Sequence, residues 1–281
     1  MQRKFWTDVW FLLVFAACGL LFTFGAMMAL QAAMGTTTLM LHLAQWTQNV
    51  ALMLLPALAW VRIYKKERIA ADMYLWWPGW RMMLLTLALM LVSLPLMDAL
   101  SMWCERLPLP QALYDVAMAT KAEQDVMIGM LLDVDGVAGW MMLIALMCVM
   151  TAVGEEALFR GALLRCFVSP DEWLHCRQWK KIIGVALTVG LLFSVCHGDV
   201  FGLIPRTVLG ALFVVLVWRT RSIYPAILAH ATNNLFALIE MKAAPRWLDW
   251  PSGAAWMVSI SGLLAALVLW LLLRRDDGER D

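Results

Sequence analysis

The chain has 281 residues, of which 63% are hydrophobic and 15% are charged. With a mean hydropathy of +0.74, this composition excludes an ordinary soluble globular protein and predicts a membrane protein. The net charge of +1 gives no electrostatic basis for binding nucleic acid. The positions of the few charged residues therefore carry the information.

Long apolar stretches predict an all-α polytopic membrane protein with about eight transmembrane helices. No charged residue lies between Asp8 and Arg62, a stretch that is too long for one span and suits two. The acidic connection from Cys104 to Gly136 contains a segment, about 113–132, whose pattern predicts an amphipathic helix on the membrane surface. The predicted transmembrane helices are about 8–34, 43–64, 82–103, 137–165, 181–198, 200–218, 222–240 and 251–273.

Positively charged residues fall on one side of this eight-helix arrangement. By the positive-inside rule, both termini are expected in the cytoplasm, and the simplest setting is a bacterial inner membrane. We expect a single integral membrane domain over residues 1–281, with a chemically distinctive core at 137–240. The basic positions are Arg3 and Lys4, the segments 62–81 and 165–181, Arg219 and Arg221, and Arg274 and Arg275.

The predicted helix 137–165 carries two adjacent carboxylates, Glu155 and Glu156, after eighteen residues without a charge. Charges inside a transmembrane segment are costly, so they indicate a functional site by default. Arg160 lies four residues after Glu156, and this spacing predicts an ion pair on one face of the helix. Glu155 then points about 100° away around the helix and is free for another role.

Two later helices also carry polar side chains at helical spacing. Phe193 and His197 are four residues apart on one predicted helix, and His230 and Asn234 are four apart on another. Each pair alone is more simply explained by interhelical hydrogen bonds or by an interfacial position. Together with Glu155, they are expected to meet in one cavity between three helices.

This set of groups suits peptide hydrolysis without a covalent intermediate. A carboxylate in an apolar cavity, such as Glu155, is a stronger base than one in water, and His197 can help to deprotonate the same water molecule. His230 and Asn234 can donate hydrogen bonds to the oxyanion of a tetrahedral intermediate. The pair of Glu156 and Arg160 would keep Glu155 oriented.

The motifs EExxxR, FxxxH and HxxxN follow one another on successive predicted helices, from Glu155 to Asn234. In this order the chain resembles the CAAX-processing and bacteriocin-processing (CPBP) family of intramembrane proteases, which includes the type II CAAX prenyl endopeptidases. The resemblance covers roughly Val137 to Ile239 and implies an eight-helix, glutamate-dependent endopeptidase. It implies that Glu155 and His197 activate water and that His230 and Asn234 stabilise the oxyanion. Glu156, Arg160 and Phe193 match the remaining motif positions.

The resemblance implies a membrane-embedded or membrane-tethered protein substrate, and it implies no cofactor. A zinc-dependent version of the same protease stays open, with Glu155, His197 and His230 as ligands and water in a fourth position. A second alternative is a proton- or cation-coupled transporter that uses the same polar groups as a relay. Against transport, no inverted repeat and no matching pair of interrupted helices is evident.

Overall fold

The computed structural model describes residues 2–66, 73–169, 178–243 and 255–274, and these form helices without any strand. Helices are present at all eight ranges predicted to cross the membrane and at the range of the predicted surface helix, each within a few residues of its predicted bounds. The all-α prediction is confirmed. With directly continuous segments joined, the helices are α1 (Gln2–Met34), α2 (38–64), α3 (Trp80–Glu105), α4 (Gln111–Leu131), α5 (Gly136–Phe167), α6 (Trp179–Val195), α7 (Leu203–Thr220), α8 (Tyr224–Ala243) and α9 (Ala255–Leu273).

Four of the described helices are long and apolar enough to cross a membrane: α3, α5, α7 and the Phe5–Met34 part of α1. A shorter apolar stretch, Met257–Leu273, lies in α9. Large apolar side chains on α1 point outwards, among them Leu21, which is 72% exposed. Outward-facing side chains of this kind are suited to contact with lipid, and the chain is an integral membrane protein.

The helices alternate in direction between two ends of the bundle. At the basic end, Phe5 near the start of α1 packs against Phe167 at the end of α5, with ring centroids 5.4 Å apart. Arg219, near the end of α7, donates a hydrogen bond to the backbone at the end of α9. At the opposite end, Lys242 of α8 donates to Leu132 O between α4 and α5. Residues 170–177 of the predicted basic segment 165–181 lie outside the described residues.

Two helices contain wide, π-helical stretches in which the regular α-helical ladder is interrupted. In α2 these are Gln48–Leu54 and Trp60–Tyr64, and in α5 they are Ile144–Met150 and Ala157–Leu163. Such stretches often accompany functional sites because they rotate the side chains that follow. The glutamate pair lies on the short α-helical segment Thr151–Glu156 between the two stretches of α5.

Helices α6 and α7 approach each other closely through two glycines. A Cβ on Gly190 would lie 2.5 Å from Thr207 O, and one on Gly210 would lie 2.8 Å from the Cα of Gly190. Neither position can therefore carry a side chain without moving the backbones apart. The close contact brings the carbonyl of Gly210 to the centre of the bundle, beside α5.

Candidate active site

Both glutamates are withdrawn from the surface. Glu155 is 9% exposed, and Glu156 and Arg160 are fully buried. Burying a charge is unfavourable unless it is paired and hydrogen-bonded. The partners of each carboxylate therefore indicate what it does.

The predicted ion pair is confirmed. Arg160 Nη1 lies 2.8 Å from Glu156 Oε1, and Arg160 Nη2 donates to Gly210 O, also at 2.8 Å. The guanidinium lies over the aromatic rings of Phe193 and Phe213, 4.7 and 5.3 Å from their centroids. Arg160 is thus held by a carboxylate, a carbonyl and two ring faces, and it links α5, α6 and α7.

Glu156 has a second partner that the spacing of residues does not reveal. His230 Nδ1 lies 2.9 Å from Glu156 Oε1, so one carboxylate oxygen contacts both Arg160 and His230. The imidazole of His230 also stacks on Phe213 at 5.4 Å. Because a carboxylate only accepts hydrogen bonds, Nδ1 must carry the proton, and Nε2 faces the other way.

Glu155 faces both histidines. Its Oε2 atom lies 3.8 Å from His197 Nε2 and 3.7 Å from His230 Nε2. These separations exceed a direct hydrogen bond. The same oxygen is buried and has no hydrogen-bond partner among the described residues. The structure therefore brings Glu155, His197 and His230 together around one point, as expected from the sequence.

The orientation of His197 is fixed by its own helix and by Phe193. Its Nδ1 donates to Phe193 O at 2.8 Å, and the two rings pack edge to face with centroids 4.8 Å apart. Phe193 also contacts the rings of His230 and Phe159, at 5.6 and 5.1 Å. The predicted aromatic position is thus the packing centre of the site.

The loop that follows His197 is held by a second ion pair. Arg206 Nη2 donates to Asp199 Oδ2 at 2.7 Å, and the backbone N–H of Phe201 donates to Asp199 Oδ1. Burial raises the pKa of Asp199, but the Arg206 guanidinium and the backbone N–H groups of Gly202 and Phe201 outweigh it and lower the pKa below its usual range. The pair fixes the turn from which His197 projects.

Asn234 lies one turn beyond His230 on α8 but does not join the three facing groups. Its Nδ2 donates to Met147 O, at 3.3 Å, on the first π-helical stretch of α5. A side-chain amide carries two N–H donors, so one remains for another acceptor. Its expected role as an oxyanion donor stays a prediction.

A cavity of about 430 Å³ lies at the opposite end of the bundle, between α3, α4, α7 and α8. Asp199 and Asn233, which are close in sequence to His197 and Asn234, contribute to its lining, whereas Glu155, His197 and His230 do not. Its lining mixes apolar and charged side chains, and Asp98 lies there rather than beside Glu155. Such a concave, partly apolar space can hold an extended peptide segment.

Within the described ranges, no group of three or more His, Cys, Asp or Glu residues has the arrangement of a metal site. Two features of the site could not be predicted from the sequence. These are the contact between Glu156 and His230 and the carbonyl that Gly210 contributes. Small-residue positions on two neighbouring predicted helices, Gly190 and Gly210, were the available signal for a close helix contact.

Comparison with known families agrees with this geometry. Residues 137–236 match the family model described as type II CAAX prenyl endopeptidase Rce1-like. Over this segment the chain is similar to the Rce1-like CAAX-type membrane endopeptidases. The resemblance read from the three motifs is confirmed, and the family implies a protease that acts on membrane-associated proteins. No curated protein and no solved structure matches the chain.

Proposed function

We propose that the protein hydrolyses a peptide bond of a membrane-associated protein, using a water molecule activated by Glu155 and His197. The observation that supports this most strongly is the buried Glu155 Oε2, which faces two imidazole Nε2 atoms at 3.7 and 3.8 Å and has no hydrogen-bond partner among the described residues. Atoms at these separations are too far apart for a direct hydrogen bond but close enough for a single water molecule beside them to bridge both.

The tautomer of His197 follows from its backbone contact. Because Nδ1 donates to Phe193 O, the neutral ring presents an unprotonated Nε2 toward Glu155. A water molecule between them can donate one hydrogen to Glu155 Oε2 and the other to His197 Nε2. Both bonds increase the nucleophilicity of the water oxygen.

His230 is suited to stabilising the oxyanion rather than to activating the water molecule. Its Nδ1 proton is donated to Glu156, so Nε2 can donate a hydrogen bond only when the ring is doubly protonated. In that form its Nε2–H group can hydrogen-bond the oxyanion of the tetrahedral intermediate.

The reaction can be followed atom by atom. Glu155 takes a proton from water as the water oxygen bonds to the carbonyl carbon, and the carbonyl π electrons move to the oxygen. His230 Nε2 and the second N–H of Asn234 hydrogen-bond this oxyanion. Collapse of the intermediate breaks the C–N bond, and the proton on Glu155 passes to the leaving amine, so that no acyl-enzyme forms.

The first experiment compares cleavage by the parent, Glu155→Gln and Glu155→Ala in reconstituted membranes. The amide is nearly isosteric but cannot accept the proton from water, so both variants should lose at least about 10²-fold in turnover. Full activity in Glu155→Gln would refute a glutamate base. A substrate with a membrane-anchored segment and a labelled terminus reports the cleavage.

The zinc-dependent version has one geometric observation in its favour. Both histidines donate Nδ1 to a protein acceptor and turn Nε2 toward Glu155, which is how metal-binding histidines are usually held. A chelator added to the same assay separates the two versions. Loss of activity that zinc restores would favour the metal, whereas unchanged activity supports activation by Glu155 and His197 alone.

Ion uptake into vesicles without any cleavage would instead support the transporter.

A further inference from the structure

The first half of the chain lies outside the family match, yet one of its side chains hydrogen-bonds to the helix that carries the glutamates. Asn49, in the π-helical stretch Gln48–Leu54 of α2, is 3% exposed. Its Nδ2 lies 3.3 Å from Leu146 O and 3.1 Å from Thr151 Oγ1, both on α5. A polar side chain buried this deeply between two membrane helices needs such partners to be tolerated.

The acceptor is part of the interrupted helical ladder. Leu146 lies in the π-helical stretch Ile144–Met150, and its carbonyl also accepts a hydrogen bond from Thr151 Oγ1 at 3.1 Å. The amide of Asn49 can donate one hydrogen to the carbonyl and the other to the hydroxyl. Side chains that insert into a helical ladder fix the position and angle of a distortion. Thr151 begins the segment that ends in the glutamate pair.

A second contact ties the same two helices together one turn further on. A Cβ on Gly154 would lie 2.9 Å from Asn49 O and 3.1 Å from Met53 Cβ, so the backbone of α2 presses directly against the residue before Glu155. Gly154 allows this close approach, and the hydrogen bonds of Asn49 fix the position of α2 along α5. Two independent contacts therefore connect α2 to the segment Thr151–Glu156.

We infer that Asn49 is a positioning residue for the proposed hydrolysis: by bonding Leu146 O and Thr151 it fixes the π-helical stretch of α5 and so aims Glu155 at His197 and His230. Asn49 touches no reacting atom, and its effect passes through the rotation of α5. The expected effect on kcat rests on the proposed function, whereas the expected effect on the structure of α5 does not. A displacement of about 1 Å in a catalytic group can lower a rate by about 10²-fold.

The kinetic test uses Asn49→Leu, which keeps the volume and removes both donors, and Gly154→Ala, which pushes α2 and α5 apart. Each should lower kcat per folded molecule by about 10- to 100-fold and leave KM within about twofold, because substrate contacts remain while the base is displaced. Matched controls are Thr47→Val, whose hydroxyl donates to Leu43 O of its own helix, and Gly184→Ala, where an added Cβ meets open space. Both controls should keep the parent kcat.

A readout that needs no activity accompanies the kinetics. Hydrogen exchange in lipid nanodiscs should be faster at residues 150–156 in Asn49→Leu and Gly154→Ala than in the controls, with α7 unchanged. Parent-like kcat in both variants, measured per folded molecule, would overturn the inference, and so would parent-like exchange in this segment. If Glu155→Gln retained full activity, the proposed function would fail, but the exchange result would still decide the role of Asn49.

Discussion

Two buried carboxylates in this protein have contrasting surroundings. Asp8, on α1 at the basic end, is 5% exposed, and both of its side-chain oxygens are bonded: Oδ1 to Tyr64 at 2.8 Å and Oδ2 to Lys65 at 2.6 Å. Its backbone carbonyl also accepts a hydrogen bond from Trp60 Nε1. Glu155, at the centre of the bundle, is about equally buried, but its Oε2 has no hydrogen-bond partner among the described residues.

The difference separates a carboxylate with a structural role from the carboxylate that the proposed reaction would use. A carboxylate with both oxygens bonded, such as Asp8, ties α1 to α2 and is stabilised without any ligand. A carboxylate such as Glu155, with a free acceptor oxygen facing two imidazoles, is poorly stabilised until another molecule binds there. Replacement of the first should therefore lower stability, and replacement of the second should lower activity.

The largest effect on activity, after that of Glu155, is expected from His197. In His197→Gln the basic imidazole Nε2 is replaced by an amide, which cannot take up a proton at neutral pH, so turnover should fall by about 10²- to 10⁴-fold at an unchanged folded fraction. Single-turnover cleavage in nanodiscs measures the chemical step. An unchanged rate would remove His197 from the site and place it with the structural residues.

The largest effect on stability is expected from Arg160. In Arg160→Met the carboxylate of Glu156 keeps only His230 and the carbonyl of Gly210 loses its donor, so the free energy of unfolding should fall by about 3–5 kcal/mol. Arg206→Met is the matched control. The ion pair of Arg206 with Asp199 is partly exposed, so its loss should lower the free energy of unfolding by about 1 kcal/mol or less. Denaturation in mild detergent compares the two, and equal losses would contradict the assignment.

Asp8→Asn tests the structural side of the comparison. The amide cannot accept hydrogen bonds from both Tyr64 and Lys65, so the free energy of unfolding should fall by about 1–3 kcal/mol. Turnover per folded molecule should stay within about twofold of the parent. A specific loss of turnover at full stability would show that the basic end takes part in the chemistry.

The smallest effect concerns pH and the Asp199–Arg206 pair. Because the folded-state pKa of Asp199 is lowered, the pair stabilises the fold above the ordinary carboxyl pKa of about 4 and loses this effect as the pH falls through the lowered value. The difference in melting temperature between the parent and Asp199→Asn should be constant above about pH 5 and should shrink below about pH 4. A difference that grows on acidification would contradict the assigned direction.

Much of the architecture could be predicted from the sequence, because a bilayer permits few structures. Uncharged stretches and charged boundaries locate eight helices within a few residues of their observed ranges. The pairing of Glu156 with Arg160 follows from a spacing of four on one helix, and it is present in the structure. These features depend on local pattern alone.

Features that depend on contacts between distant segments could not be predicted. The bond between His230 and Glu156 joins residues 74 positions apart, and the contact of Asn49 with Leu146 joins residues 97 apart. Helical spacing shows which face a residue occupies but not which helix lies opposite. The π-helical stretches of α5 also carry no clear sequence signal, although the glutamate pair lies between them.

The most direct measurement records melting temperature and turnover together for Glu155→Gln and Asp8→Asn in one lipid preparation. We expect Glu155→Gln to melt at or above the parent temperature, because a poorly solvated charge is removed, and its turnover to fall at least about 10²-fold. Asp8→Asn should show the reverse, with a lower melting temperature and near-parent turnover. A Glu155→Gln protein that melts early yet cleaves at the parent rate would contradict the proposed role of Glu155.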